Sequence, residues 1–155
     1  MSIEGIYNGV ADCIEDKLYP YLAEQEIDNI KVPDFKKILR SSTFDILGLK
    51  IYPTLMMEYG RIIVERETTN SDRYIMPVSF YAISKGSVPE ILQKTSERYV
   101  WALKNLFEEN VTLDGSIDRI DITGYEFSKA ISTQTTFVHF GLIYATLDVL
   151  VRRTI

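Results

Sequence analysis

The sequence is poor in the residues that carry most enzymatic and metal chemistry. Its 155 residues include a single cysteine, Cys13, and a single histidine, His139. One cysteine cannot form an internal disulfide, and one cysteine with one histidine cannot build the usual zinc ligand sets. Neither phosphate-binding nor dinucleotide-binding glycine patterns occur. We therefore expect a protein with no cofactor and no metal.

Long apolar runs and an excess of basic charge are also absent. No run approaches the roughly 20 apolar residues that a transmembrane helix requires, so we expect no membrane partner. The opening residues lack the basic and apolar segments of a signal peptide, which predicts a chain that is cytoplasmic where it is made. The net charge of −5 argues against a general binder of nucleic-acid backbones. Length and composition predict one domain over residues 1–155.

Two stretches have apolar residues at helical spacing. The first covers about 20 residues at the start, and Pro20 is expected to end or kink that helix. The second runs from Ser87 to about Glu109. It opens on a capping box in which Ser87 is the N-cap and Glu90 reaches back to its amide.

Alternating apolar and polar residues predict five strands, over residues 49–59, 61–69, 73–84, 117–127 and 137–153. A turn cluster after Thr69 joins the second and third strands into a long hairpin at about 61–84. The apolar positions switch parity at Gly124, which predicts a β-bulge there. The order α-β-β-β-α-β-β predicts an α+β fold: an antiparallel sheet of about five strands with two main helices packed on it.

The last strand is apolar on both faces. One face carries Phe137, Ile143, Ala145, Leu147, Val149 and Val151, and the other carries Val138, Phe140, Leu142, Tyr144 and Leu150. A strand of this kind must be covered on both sides. We expect the second helix to cover one face and a neighbouring subunit to account for the excess apolar surface on the other.

No set of residues forms a recognisable catalytic group. His139 lies within a largely apolar strand, and we interpret it as a structural or interface residue because no nucleophile or orienting group accompanies it. Glu65 and Glu67 share one strand face, but with Arg61 nearby they are more typical of an exposed charged hairpin. We predict that the protein is not an enzyme.

Two small basic groups are present, and we interpret them as solvated surface or a contact with a partner. They are Lys36, Lys37 and Arg40 in the connection that precedes the first strand, and Arg152 and Arg153 near the end.

The layout resembles that of the tail terminator, or tail completion, proteins of long-tailed bacteriophages. The shared features are an N-terminal helix, a Tyr-Pro step, a long hairpin, an amphipathic helix, an Asn-x-x-Leu-x-Gly turn and a long final strand. The Tyr-Pro step and the turn are formed here by Tyr52-Pro53, which leads to Glu58, and by Asn110, Leu113 and Gly115.

This resemblance implies a structural virion protein of the tail or neck, assembled in the host cytoplasm. Such a protein forms a homohexameric ring, caps the tail tube, stops its polymerisation and provides the docking face for the head connector. DNA would pass its channel without specific binding, which suits the acidic composition.

Candidate contact residues for subunit or tube interfaces are Arg61, Glu65, Glu67, Phe137, His139 and Arg152. Two alternatives remain open. One is another neck component, such as a head-closure or head–tail joining protein. The other, from a different class, is a small-ligand-binding domain with a pocket lined by Tyr99, Trp101 and Phe80.

Overall fold

A computed structural model describes residues 2–40 and 47–153. Two helices and seven strands make up this part of the chain: α1 (Ile3–Glu24), β1 (Lys37–Leu39), β2 (Thr54–Tyr59), β3 (Ile63–Thr68), β4 (Ser71–Gly86), α2 (Pro89–Glu109), β5 (Arg119–Phe127), β6 (Ile131–Ser132) and β7 (Phe137–Arg152).

The centre of the sheet is an antiparallel ladder between its two longest strands. β4 and β7 each contain 16 residues and pair along their whole length, from Ser71 opposite Arg152 to Gly86 opposite Phe137. The sheet order is β1-β2-β4-β7-β5. All other elements of the sheet are placed by this ladder.

Two shorter strands pair, one after the other, with the outer edge of each central strand. β2 pairs with residues 78–83 of β4, and β3 pairs with residues 71–75 of the same strand. Along the other side, β5 pairs with residues 141–148 of β7, and β6 pairs with Val138 and Phe137. β1 lies parallel to β2, so the sheet is mixed.

The predicted α+β class is confirmed, with differences in detail. The sheet is mixed and has seven strands where an antiparallel sheet of about five was predicted, because the irregular connection contributes β1 and the segment before β7 contributes β6. The strand expected over 49–59 begins only at Thr54. The hairpin predicted over 61–84 corresponds to β3 and β4, but β3 is opposite only the first part of β4. The predicted bulge is confirmed, since the register shifts between Ile122 and Gly124.

The helix boundaries differ from the prediction at two proline positions. α1 passes through Pro20 and ends at Glu24, and the Ser2 hydroxyl caps its start by accepting from the Gly5 amide at 2.9 Å. α2 begins at Pro89 after Val88, which offers no side-chain cap. The capping box assigned to Ser87 is therefore wrong. Proline at the first helical position needs no amide partner, which makes it a suitable start for α2.

Both helices contribute to one core on one face of the sheet. Tyr99, Leu103 and Phe107 of α2 are buried against this face, and the α1 residues Ile6, Val10 and Ile14 belong to the same cluster. The approach of α2 is closest at Gly141, where an added Cβ would lie 2.6 Å from Val100 Cγ2 and 2.9 Å from the Ser96 carbonyl oxygen. Glycine at this position lets the helix backbone contact the sheet.

The second face of β7 is covered partly by the chain itself. Val138, Met56 and Ile83 form a small buried cluster, against which residues of β1 and of the segment before β2 pack: Leu39, Leu49 and Tyr52. The chain itself therefore covers Val138 completely and Phe140 in part, where the sequence suggested a neighbouring subunit. Further along the same face, Tyr144 and Leu150 remain 37% and 41% exposed.

Replacing Gly141 by alanine should destabilise the protein by about 1–3 kcal/mol, because the new methyl group overlaps Val100 and the backbone of α2. The free energy of unfolding, measured by urea denaturation, tests this. Gly124→Ala in the neighbouring strand is the matched control, since its Cβ would meet only Tyr144 Cδ2 at 3.6 Å. Equal losses for the two variants would contradict the close approach of helix and sheet.

Candidate assembly surfaces

Three of the six predicted contact residues, Glu65, Glu67 and Arg152, lie near one end of the sheet. Arg61 lies beside the middle of β4, next to Gly60, whose N–H donates to the Pro77 carbonyl. Glu65 and Glu67 are exposed on β3, where Glu67 accepts a hydrogen bond from Arg73 at 2.7 Å. Arg152 is exposed at the end of β7, opposite Ser71, and Arg61 is exposed just before β3. The hairpin predicted from the sequence thus places charged residues at a common end of the sheet.

The other two residues, Phe137 and His139, lie at the opposite end of β7. The 15 residue steps between Phe137 and Arg152 span about 50 Å in an extended strand. His139 is 1% exposed, and its Nδ1 is 2.7 Å from the Ser96 hydroxyl oxygen of α2. A side chain so placed cannot reach a neighbouring subunit, so His139 has a structural role within the subunit.

Burial lowers the pKa of His139 below its ordinary value. A hydrogen bond with the Ser128 backbone and the carboxylate of Glu97 oppose this effect without overcoming it. Ser84 lies opposite His139 in the ladder, and its buried hydroxyl has no hydrogen-bond partner in the described chain. The neutral imidazole therefore links β7 to α2 in an environment that disfavours a positive charge.

An exposed aromatic groove lies between α2 and β5, and of the three residues predicted to line a pocket it contains Trp101. Its walls include Trp101, Tyr125 and Phe127, which are 49%, 40% and 39% exposed, and Ile27, which is 58% exposed. The rings of Trp101 and Tyr125 meet edge to face with centroids 5.6 Å apart. The groove has a volume of about 410 Å³. Four large apolar side chains exposed together are typical of a binding surface.

Arg98 forms the polar wall of this groove. It donates hydrogen bonds to the backbone carbonyls of Gln25 and Ile27, and its guanidinium lies 3.7 Å from the Asp28 carboxylate. The segment after α1 is thereby fixed beside α2. Of the two charged residues that line the groove in the described part of the chain, Arg98 is ion-paired with Asp28, and the exposed Glu97 carboxylate forms no salt bridge there.

The pocket predicted from the sequence differs from this groove. Tyr99 and Phe80 are 0% exposed, and neither lines this groove. Tyr99 borders a separate small cavity of about 100 Å³ beside Pro53 and Lys85, so of the three predicted residues only Trp101 belongs to the groove. The aromatic residues of β5 reach the groove through the bulge near Gly124. The extra residue of the bulge changes which positions of β5 face the helices, so Tyr125 lies opposite Ile143 on the helix side of the sheet.

The opposite edge of the sheet carries exposed basic side chains. Lys36 and Lys37 are exposed at β1, and Lys37 and Lys50 line a second groove of about 330 Å³ together with Leu39, Leu49 and Ile51. No salt bridge involves these lysines within the described residues. Two of the other predicted basic residues form ion pairs, Arg40 with Asp12 and Glu15 of α1, and Arg153 with Asp72.

The face of the sheet away from the helices carries two tyrosine–carboxylate pairs. Tyr81 donates to Glu58 at 2.6 Å, and Tyr144 donates to Glu126 at 2.7 Å. Burial, followed by the bond to Glu58, raises the pKa of Tyr81, and the bond to Glu126 raises the pKa of Tyr144. Both phenols therefore stay protonated and donate to these carboxylates.

Cys13 is buried in α1, and burial raises the pKa of its thiol to about 11. A thiol with this pKa holds little thiolate at neutral pH, which fits a packing role.

Among residues 2–40 and 47–153, no three His, Cys, Asp or Glu side chains come together as a metal site would need. Neither described helix is long and apolar enough to cross a membrane.

Comparison with known proteins adds no relative to this description. No protein-family model matches the chain, and no curated protein matches it at a significant level.

Acidification should weaken the folded state through His139. Its pKa is lowered in the folded state, so the unfolded chain binds the proton first, and stability is fully present above about pH 6.5 and declines below it. A single titrating group limits this loss to less than about 1.4 kcal/mol per pH unit.

Urea denaturation of the wild type and of His139→Gln at pH 7.5 and 5.5 measures this effect. Glutamine does not titrate and retains a polar group that can face Ser96, so its unfolding free energy should depend less on pH. The same pH dependence in both proteins would show that His139 is not responsible.

Proposed function

We propose that this protein is a structural component of a phage virion, a tail terminator that forms a ring on the end of the tail tube. The ring would stop tube polymerisation and provide the docking face for the head connector. The observation that carries the proposal is the exposed groove around Trp101, because a surface of this composition is typical of a protein interface.

The arrangement of surfaces supports a ring over a simple dimer. A closed head-to-tail ring needs two different patches on each subunit, whereas a two-fold dimer uses the same patch twice. The aromatic groove at β5 and the lysine-bearing groove at β1 are unlike each other and lie at opposite ends of the strand order. By the resemblance noted above, the ring would contain six copies.

The acidic sheet face supports a role beside DNA. Glu58, Asp121 and Glu126 all point away from the helices, and the chain carries a net charge of −5. If this face lined the channel, like charge would keep the DNA phosphates from binding as they pass. Arg119 bonds Asp121 at 2.8 Å, so Glu58 and Glu126 would contribute most of this repulsion.

Purified protein mixed with the tail-tube protein of the same genome should yield tubes closed at one end and of limited length. Negative-stain electron microscopy would show the ends, and light scattering would follow growth. Tube protein alone is the control and should polymerise without a length limit.

Genetic loss provides the second arm of the test. A phage that lacks the protein should make tails of uncontrolled length. Normal tails on heads that leak DNA would instead assign the protein to head closure, and unchanged tube growth in both experiments would reject the proposal.

A second candidate function rests on the same groove. Its volume of about 410 Å³ falls within the range of small-molecule sites, and aromatic walls are common in them. A ligand-binding domain would remain monomeric, and a small apolar probe such as 1-anilinonaphthalene-8-sulfonate would bind with 1:1 stoichiometry and quench Trp101. Loss of that binding in Trp101→Ala, together with normal tube growth, would favour this function.

A further inference from the structure

We propose that copies of this chain associate head to tail through opposite edges of the sheet. The β1 surface of one copy, formed by Lys36, Lys37, Leu39, Leu49, Lys50 and Ile51, would cover the aromatic groove of the next. This inference rests on the proposed function, because it assigns the subunit interface of the ring.

The topology places the two surfaces where a head-to-tail contact needs them. β1 is the first strand in the sheet order and β5 is the last, with three strands between them. The outer sides of β1 and β5 do not pair with another strand in the described chain. A contact that joins these two edges can therefore repeat from copy to copy without either surface being used twice.

Apolar complementarity supports a macromolecular occupant for the groove. Trp101 and Tyr125 are of the residue types that dominate binding energy at interfaces, and both are about half exposed. The β1 surface offers aliphatic side chains in return: Ile51 is 43% exposed, and Leu39 and Leu49 are half-buried beside it. Burying these side chains together removes apolar area from water on both copies.

Charge complementarity identifies the occupant as a second copy. Among the described residues that line the β1 groove, Lys37 and Lys50 are the charged ones. At the aromatic groove, Glu97 is exposed, and within residues 2–40 and 47–153 it accepts a hydrogen bond from the neutral Gln93 at 3.4 Å and forms no salt bridge. The lysines of one copy can therefore pair with the unpaired carboxylate of the next.

The competing self-contact is disfavoured by the same charges. A two-fold dimer through the aromatic grooves would bring Glu97 of one copy toward Glu97 of the other. A two-fold contact between β1 surfaces would gather six lysines, three from each copy. Like charges placed opposite each other oppose association, so the unlike pairing is the favourable one.

The single tryptophan of the chain makes this contact directly measurable. Trp101 is half exposed in the free subunit, so its fluorescence emission should shift to shorter wavelength as protein concentration rises. Sedimentation velocity at low salt should show the matching increase in mass. Both changes should be reduced at 0.5 M salt, where charge pairs are screened.

Substitutions on the two surfaces separate head-to-tail contact from the alternatives. Glu97→Lys alone and Lys50→Glu alone should each weaken association about tenfold or more, and the double variant should recover much of the loss because the charges are exchanged across the contact. Trp101→Ala should weaken association by about 30-fold. Glu4→Lys, an exposed charge reversal at the start of α1, is the matched control and should have no effect.

Three outcomes would overturn the inference. A wild-type chain that stays monomeric at about 1 mM, or an oligomer that Trp101→Ala leaves intact, would place no interface at the groove. Sensitivity to Glu97→Lys without sensitivity to Lys50→Glu would indicate a two-fold dimer. Tube-length assays on the same variants decide the proposed function separately, since a terminator could close its ring through other surfaces.

Discussion

The ladder between β4 and β7 is the constraint on which the rest of the structure depends. Its 16 residue pairs set the length of the sheet and fix which side chains point toward the helices. β2, β3, β5 and β6 all pair with one of these two strands, and the main core is built on one of their faces. The register also places His139 beneath α2, where the imidazole can meet Ser96.

The sequence predicted the fold where local pattern and tertiary structure agree. Alternation in the last strand identified both faces of β7, and the parity change at Gly124 identified the bulge. It was wrong where tertiary packing overrides a local signal: Pro20 lies inside a helix, and Ser87 does not cap one. β1 could not be predicted, because a three-residue parallel strand has too short a pattern and depends on a distant partner.

The candidate surfaces were harder to predict than the fold. Trp101 looks like a flanking residue of an amphipathic helix, and only the shifted register of β5 brings Tyr125 and Phe127 beside it. The reverse holds for His139. A polar residue in a strand suggests a contact site, but this side chain is buried and hydrogen-bonded within the subunit. Position along the chain does not reveal which aromatic side chains are left uncovered.

β2 and β3 lie one after the other along the same edge of β4. The distance to which the β3–β4 hairpin projects is therefore independent of the packing that stabilises the core. All six residues of β3 are exposed, so the hairpin tip contributes little to either core cluster. Equal insertions into both arms at the tip would extend the hairpin beyond Arg152 while the helices and their packing stay unchanged. The length of this projection can therefore change while the core of the molecule stays the same.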